Sequence, residues 1–165
     1  ISSNLYILGY DRNKYFTTCN NATKTNLSTY LNYYKPLTDS INIMNAFIIN
    51  FGIDFEITTF RNNNNQQVLL DCISELKNYF NVDKWGINQP IIESEVINLI
   101  ANTKGVQSVI NVIFNNLAGQ EKGYSKFRYD FKTATKNGII YPSLDPSIFE
   151  LKSPDTDIKG KIKQY

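Results

Sequence analysis

Residues 43–60 read IMNAFIINFGIDFEITTF. Ile43, Phe47, Ile49, Phe51, Ile53, Phe55 and Ile57 are apolar at odd positions, and Asn50, Gly52, Asp54, Glu56 and Thr58 stand between them. Strict alternation has period two, the period of a β-strand with one buried face. From Phe47 to Phe60 such a strand would span on the order of 45 Å at about 3.3 Å per residue. It must therefore run the length of its sheet. A wet face carrying Asp54 and Glu56 suits an antiparallel sheet solvated on one side.

Downstream of this strand the period changes to that of a helix. Asn62–Asn65 is a polar loop able to cap a helix. Gln66–Phe80 places Leu69, Cys72, Ile73, Leu76 and Phe80 on one stripe and predicts that helix. After Pro90, Glu93–Thr103 predicts a second helix with Val96, Leu99 and Ile100 inward, stopped by Lys104-Gly105. Val106–Asn115 is β-branched and apolar, a return strand. Strand, helix, helix, strand makes the two strands antiparallel with both helices on the apolar face. The expected fold is α+β in two layers, an antiparallel sheet under two helices. The expected buried set is Ile49, Phe51, Ile53, Phe55, Leu69, Ile73, Leu76, Val96, Ile100, Val109 and Ile113.

On the N-terminal side, Leu5–Tyr10 and Tyr15–Thr18 flank Asp11–Lys14 and predict a hairpin. A helix capped by Asn20 or Asn21 runs to about Lys35, with Leu27, Tyr30, Leu31 and Tyr34 on one stripe. On the C-terminal side, Tyr124–Lys132 and Gly138–Tyr141 predict strands, the second entered through the turn dipeptide Asn137-Gly138. From Pro142 the prolines leave little room for a helix. An extended arm is expected, with short strands at Ile148–Leu151 and Ile158–Ile162, whose loss beyond Pro154 should leave the core folded. The organisation read here is residues 1–40 (hairpin and helix, the end of a preceding domain), 41–141 (the α+β core) and 142–165 (the arm). Because the chain opens at Ile1 within strand-like sequence, it reads as the C-terminal piece of a longer protein.

Composition narrows function by exclusion. The 165 residues are 42% hydrophobic and 19% charged, with net charge +2 and no block of like charge. Bulk electrostatics therefore gives no reason to expect nucleic-acid or membrane binding. No apolar run is long enough to cross a bilayer. Histidine is absent, so the commonest general base and metal ligand is missing, and no Ser-His-Asp or Cys-His pair can be assembled. Cys19 and Cys72 lack metal-ligand spacing. Asp54 and Glu56 share one strand face and could act as an acid/base pair, but a solvated sheet face explains them better. Asp155-x-Asp157 opens like a calcium loop without its central glycine or closing glutamate. The sequence thus predicts no catalytic residue, no metal, no cofactor and no small-molecule substrate. The surplus is aromatic: 11 Tyr and 10 Phe. Tyr33 falls off its helix stripe and is an interface candidate.

Several stretches together resemble one family. LSTYLNYYKPLTDSINI (Leu27–Ile43), IINFGIDFEI (Ile48–Ile57), INQPII (Ile87–Ile92), KGVQSV (Lys104–Val109) and NGIIYPSLDPSIFELKSPDTDIKGKI (Asn137–Ile162) are similar to the C-terminal part of the ring-forming baseplate wedge protein of T-even-type contractile-tailed phages. The broader relatives are baseplate J-like proteins. The resemblance implies a structural role in the virion, after assembly in the host cytoplasm: a chain that binds copies of itself in a ring and joins other wedge and hub proteins. On that view the expected contact residues are Tyr33, Trp85, Ile148, Phe149, Leu151, Ile158 and Ile162, with the arm as the main dimer element. The competing reading is a carbohydrate- or host-binding module in which Trp85 and the tyrosines stack on sugar.

Overall fold

The computed structural model describes residues 1–164. In chain order its elements are β1 (Ser2–Ile7), β2 (Gly9–Tyr10), β3 (Phe16–Thr17), α1 (Asn21–Asn32), β4 (Ser40–Asn45), β5 (Phe47–Thr59), α2 (Asn65–Tyr79), β6 (Ile91–Ile92), α3 (Glu93–Ala101), β7 (Val106–Asn116), α4 (Phe131–Ala134), β8 (Thr135–Lys136), β9 (Ile139–Ile140), β10 (Ser147–Glu150), α5 (Pro154–Asp157) and β11 (Ile158–Ile162). The fold is α+β.

Strand β5 is the axis, and its alternation is read correctly from sequence. Ile49, Phe51, Ile53, Phe55 and Ile57 are buried, while Asp54 and Glu56 stay half-exposed on the opposite face. Above the apolar face lie α2, capped by the Asn64 side chain, and α3. They contribute Val68, Cys72, Leu76, Val96 and Ile100 to the core. β7 runs antiparallel to β5 as expected, from Phe51↔Asn116 to Thr59↔Val106.

One member of the expected core is misplaced. Ile113 pairs with Asp54 on the wet face and is 47% exposed, while Phe114 and Val112 point toward the helices. The register shifts between Glu56 and Ile57, where Asn111 and then Val109 are the partners and Ile110 is skipped. That bulge reverses parity along β7, so Val109 and Ile113, four apart, lie on opposite faces.

The C-terminal segment is not an arm. β10 pairs in parallel with residues 47–50 of β5, and β11 in parallel with residues 53–57. Phe47 N–H donates to Pro146, and Ile57 C=O accepts from Lys163. Both are odd residues, whereas Asn50, which accepts from Leu117 in line with β7, is even. Backbone groups alternate edges along a strand, so β10 and β11 follow one edge of β5 and β7 the other. The sheet is therefore mixed, and residues 147–162 belong with the core strand β5. The interruption at α5 lets the proline-rich stretch loop out without breaking a ladder it could not complete.

The N-terminal hairpin is shorter than expected. Asp11 Oδ1 accepts from Asn13 and Tyr15 N–H and shapes the turn between β2 and β3. Leu5 to Ile7 instead belong to β1, which lies parallel to β4 across the α1 crossover. This pairing joins residues 1–40 to the start of the core segment. FRYDF is likewise no strand. Ser125 and Tyr129 donate to the Asn50 and Asn116 side chains rather than to a neighbouring strand. Phe127 stacks on Phe47, and Phe131 packs on Phe149. The Asn137-Gly138 turn is as read: both residues have positive φ, 53° and 76°, and β8 and β9 pair across it.

Candidate functional site

Among the described residues the three most exposed tyrosines, Tyr33, Tyr34 and Tyr30, lie on and after α1. Asn20 caps the helix by accepting from Thr23 N–H at 2.8 Å. Thr25 and Thr29 return their hydroxyls to the carbonyls four residues back. The helix has 12 residues and buries none of them. The tyrosines end up outside: Tyr30 and Tyr34 lie against each other with centroids 5.0 Å apart, and Tyr33 is 82% exposed. Leu37 stands fully in solvent beyond Pro36. The expected stripe of Leu27 and Leu31 is only half-buried, because α1 covers nothing larger than the two-stranded β1–β4 sheet.

The remaining expected contact residues are placed elsewhere. Ile148, Phe149, Leu151 and Ile158 are buried in the main core, and Ile162 is half-buried against it. The first four are buried in the intact protein and cannot reach a partner, so as docking residues they are corrected; Ile162 stays partly exposed. Trp85 is also a core residue, packed on Phe80 at 5.1 Å between ring centroids and on Tyr79 at 5.8 Å. It presents no face for a sugar. Of the residues singled out, only Tyr33 is freely presented.

The carboxylates considered for chemistry have separate structural tasks. Asp54 accepts from the Asn115 side chain at 2.7 Å, and Lys159 and Lys161 stand opposite Asp54 and Glu56 in the parallel register. Asp155 faces Lys77 at 3.8 Å. Asp157, two residues on, is buried and accepts from Tyr124 Oη at 2.5 Å and Ser153 N–H at 3.1 Å. Burial, with the bond to Asp157 added, raises the Tyr124 hydroxyl to about 12. Among the described residues no three His, Cys, Asp or Glu side chains gather as a metal site requires. Burial raises the Cys72 thiol to about 11, which keeps it protonated and unreactive near neutral pH.

Sequence reading missed a buried polar node at Glu150. Its Oε2 accepts from Phe16 N–H at 2.6 Å, and its Oε1 from Asn50 Nδ2 at 2.8 Å. Asn50 Oδ1 accepts in turn from Ser125 N–H at 2.7 Å. Burial holds the Glu150 carboxyl above its ordinary value, against the lowering effect of these donors. The node ties β3, β5, β10 and the 124–130 segment together. Its signal in the sequence is one carboxylate inside the apolar run Ile148–Leu151, which reads as noise until its donors are known.

An open cleft of about 990 Å³ lies between Tyr129, Ala134, Tyr141, Pro142 and Leu144. Tyr129, one of its lining residues, donates its hydroxyl to the Tyr141 carbonyl. No helix among the described residues is long and apolar enough to cross a membrane. Compared with known proteins, the chain matches no family model and no curated protein.

Proposed function

We propose that this chain is a structural subunit of a contractile phage tail baseplate, binding copies of itself and other wedge and hub proteins in the virion. Two things support the reading. The five stretches quoted above resemble the ring-forming wedge protein, and α1 is a finished helix that only half-buries Leu27 and Leu31 and leaves its tyrosines outside. The second observation carries the weight. Ordering 12 residues while fully burying none of them leaves conformational entropy only partly offset by packing. A partner seated on Tyr30, Tyr33, Tyr34 and Leu37 supplies the missing burial, and tyrosine suits a contact surface that must also tolerate water.

Light scattering of the chain alone and mixed with purified wedge and hub proteins tests the reading. The expected result is a mass above that of the monomer, in one or both cases, with the association weakened by Tyr33→Lys. A chain that stays monomeric at high concentration and binds none of the tail proteins overturns it.

A further inference from the structure

The sheet has two edges, one formed by β10 and β11 and the other by β7, and they are protected unequally. β11 is 5 residues long and carries Lys159 and Lys161. Short length and lysine are the ordinary guards of a sheet edge. β7 is 11 residues long. Between Gly105 and Gly119 the chain has no charged residue and no proline. Among the described residues β7 pairs only with β5, and none of its backbone groups from Gln107 to Asn115 bonds to anything on the other side. Its register shifts leave Gln107 and Ile110 unpaired and disturb the first half of the strand, but from Asn111 to Asn116 it is regular.

The direction of the free groups is set by the ladder. Leu117 N–H donates to Asn50 C=O, so odd residues of this half turn their N–H and C=O toward β5. Val112 and Phe114 turn theirs outward. On the wet face Ile113 is 47% exposed and Ile110 39%. The helix layer exposes a matching residue. α3 lies over β7 and buries Val96 and Ile100. Glu95, on one side of Val96, accepts from Tyr79 of α2. Ile97, about 100° further round the helix, faces the opposite way, beyond the edge of the sheet, and is 39% exposed.

We propose that the β7 edge pairs antiparallel with the β7 edge of a second copy of this chain, about a two-fold axis at Ile113. This rests on the self-associating reading above and names its surface. The sequence Asn111–Asn116 is self-complementary in that register. Val112 and Phe114 of one copy exchange both backbone bonds with Phe114 and Val112 of the other. Ile113 meets its own mate in the close, non-hydrogen-bonded position, about 4.5 Å between Cα atoms. Asn111 stands opposite Asn115, and no charge opposes another. Centring the axis on Phe114 instead would set Ile113 against Asn115 and leave its exposed surface poorly covered. The two sheets become one, with the α3 helices on the same side and Ile97 near the junction. A two-fold contact of this kind needs only one self-complementary patch, and an unguarded strand edge is a template for strand addition.

The test uses the residue that faces itself. Wild type, Ile113→Lys and Ile113→Glu are compared by sedimentation velocity over a range of concentrations. Ile113 is half in solvent, so both variants should retain the wild-type melting temperature. Wild type is expected to form dimers. Each variant alone should dissociate at least tenfold more readily, because like charges meet across the axis. An equimolar mixture of the two should regain the dimer. The proposal is overturned if Ile113→Lys dimerises like wild type, if the mixture stays monomeric, or if wild type itself does not dimerise. Association that is indifferent to Ile113 but sensitive to Tyr33 overturns the edge and leaves the baseplate reading standing. Association with neither itself nor tail proteins overturns both.

Discussion

Replacing Asn50 with alanine should be among the most damaging single changes outside the hydrophobic core. The Asn50 side chain is almost fully buried and bonds on both ends. Its Nδ2 donates to Glu150 Oε1 at 2.8 Å, and its Oδ1 accepts from Ser125 N–H at 2.7 Å. Alanine removes both partners and admits no bulk water. Ser125 is half-buried, so its orphaned N–H costs about 1 kcal/mol, the low end for such a group. The Glu150 oxygen is buried and its bond is charge-assisted, so its loss costs about 2–3 kcal/mol. The sum is about 3–4 kcal/mol, a large part of the roughly 5–15 kcal/mol that holds a domain folded. For a chain of this length that is a fall in Tm of about 6–16 °C.

The assay is urea or thermal unfolding at neutral pH, tracked by tryptophan fluorescence, since Trp85 reports on the core. A loss below about 1 kcal/mol would refute the reasoning, because it would mean that water reaches the node or that Glu150 finds another donor. Asn50→Asp sharpens the test. It keeps an acceptor for Ser125 but sets a second carboxyl against Glu150 where a donor stood. Two carboxyls sharing a buried site cannot both ionise without cost. This variant should approach wild-type stability in acid and lose it steeply as pH rises, whereas Asn50→Ala should show no such added slope.

Glu150→Gln isolates the carboxyl itself. Burial raises the Glu150 pKa in the folded state, so between the ordinary glutamate value and the raised one the native chain binds more protons than the unfolded chain. The Glu150 contribution is then greatest below the ordinary value and is lost as pH rises through the raised one; subtracting the glutamine variant from wild type across pH 4–8 should leave a difference that shrinks upward, and a growing one contradicts the assignment. Gly160→Ala should cost about 1–3 kcal/mol by overpacking, because a Cβ there would sit 2.5 Å from the Phe55 ring and 2.7 Å from Leu69 Cδ2; unchanged urea midpoints would show that α2 yields freely over β11. Deleting residues 154–165 should abolish the cooperative transition, since it removes Ile158 from the core and strips one edge of β5 over residues 53–57; a truncated chain that still melts cooperatively near the wild-type temperature would restore the arm.

What the sequence discloses and what it hides divide by range. The β5 alternation, the α2 and α3 stripes, the Asn64 cap and the Asn137-Gly138 turn are local, and all are readable. The bulge at Ile110 is not, since VINVI has the same composition whichever residue is skipped, yet that one residue decides whether Ile113 is core or surface. Pairing of β10 and β11 with β5 joins residues about a hundred positions apart, and prolines between short apolar runs look like an arm when nothing shows what they lie against. The clue is the runs themselves: Ile148, Phe149 and Leu151, then Ile158 and Ile162, are more apolar than a solvated arm needs. In the candidate site the off-stripe position of Tyr33 is informative. Trp85 is not, because a lone tryptophan in a loop gives no sign that Phe80 and Tyr79 will enclose it.

The placement of the C-terminal segment changes what self-association can mean for this chain. Ile148, Phe149, Leu151 and Ile158 complete the sheet that contains β5, so a contact built on them would have to open the protein first. The outward-facing surfaces are then of two kinds. Helix α1 offers aromatic side chains, while the β7 edge offers backbone to pair and few side chains. One two-fold contact closes on itself as a dimer and stops; a closed ring of dimers needs a second contact at another place on each chain. With Ile113 on its own axis and Tyr33 meeting a different surface, the chain would have two contacts that do not compete. Substituting one should leave the other working: Ile113→Lys should lose the β7-paired dimer but still bind tail proteins through α1, and Tyr33→Lys should lose that binding but leave isolated β7-paired dimers. If Ile113→Lys also abolished binding of tail proteins, or Tyr33→Lys also abolished the dimer, one surface would suffice for all association, and the division of labour would fail.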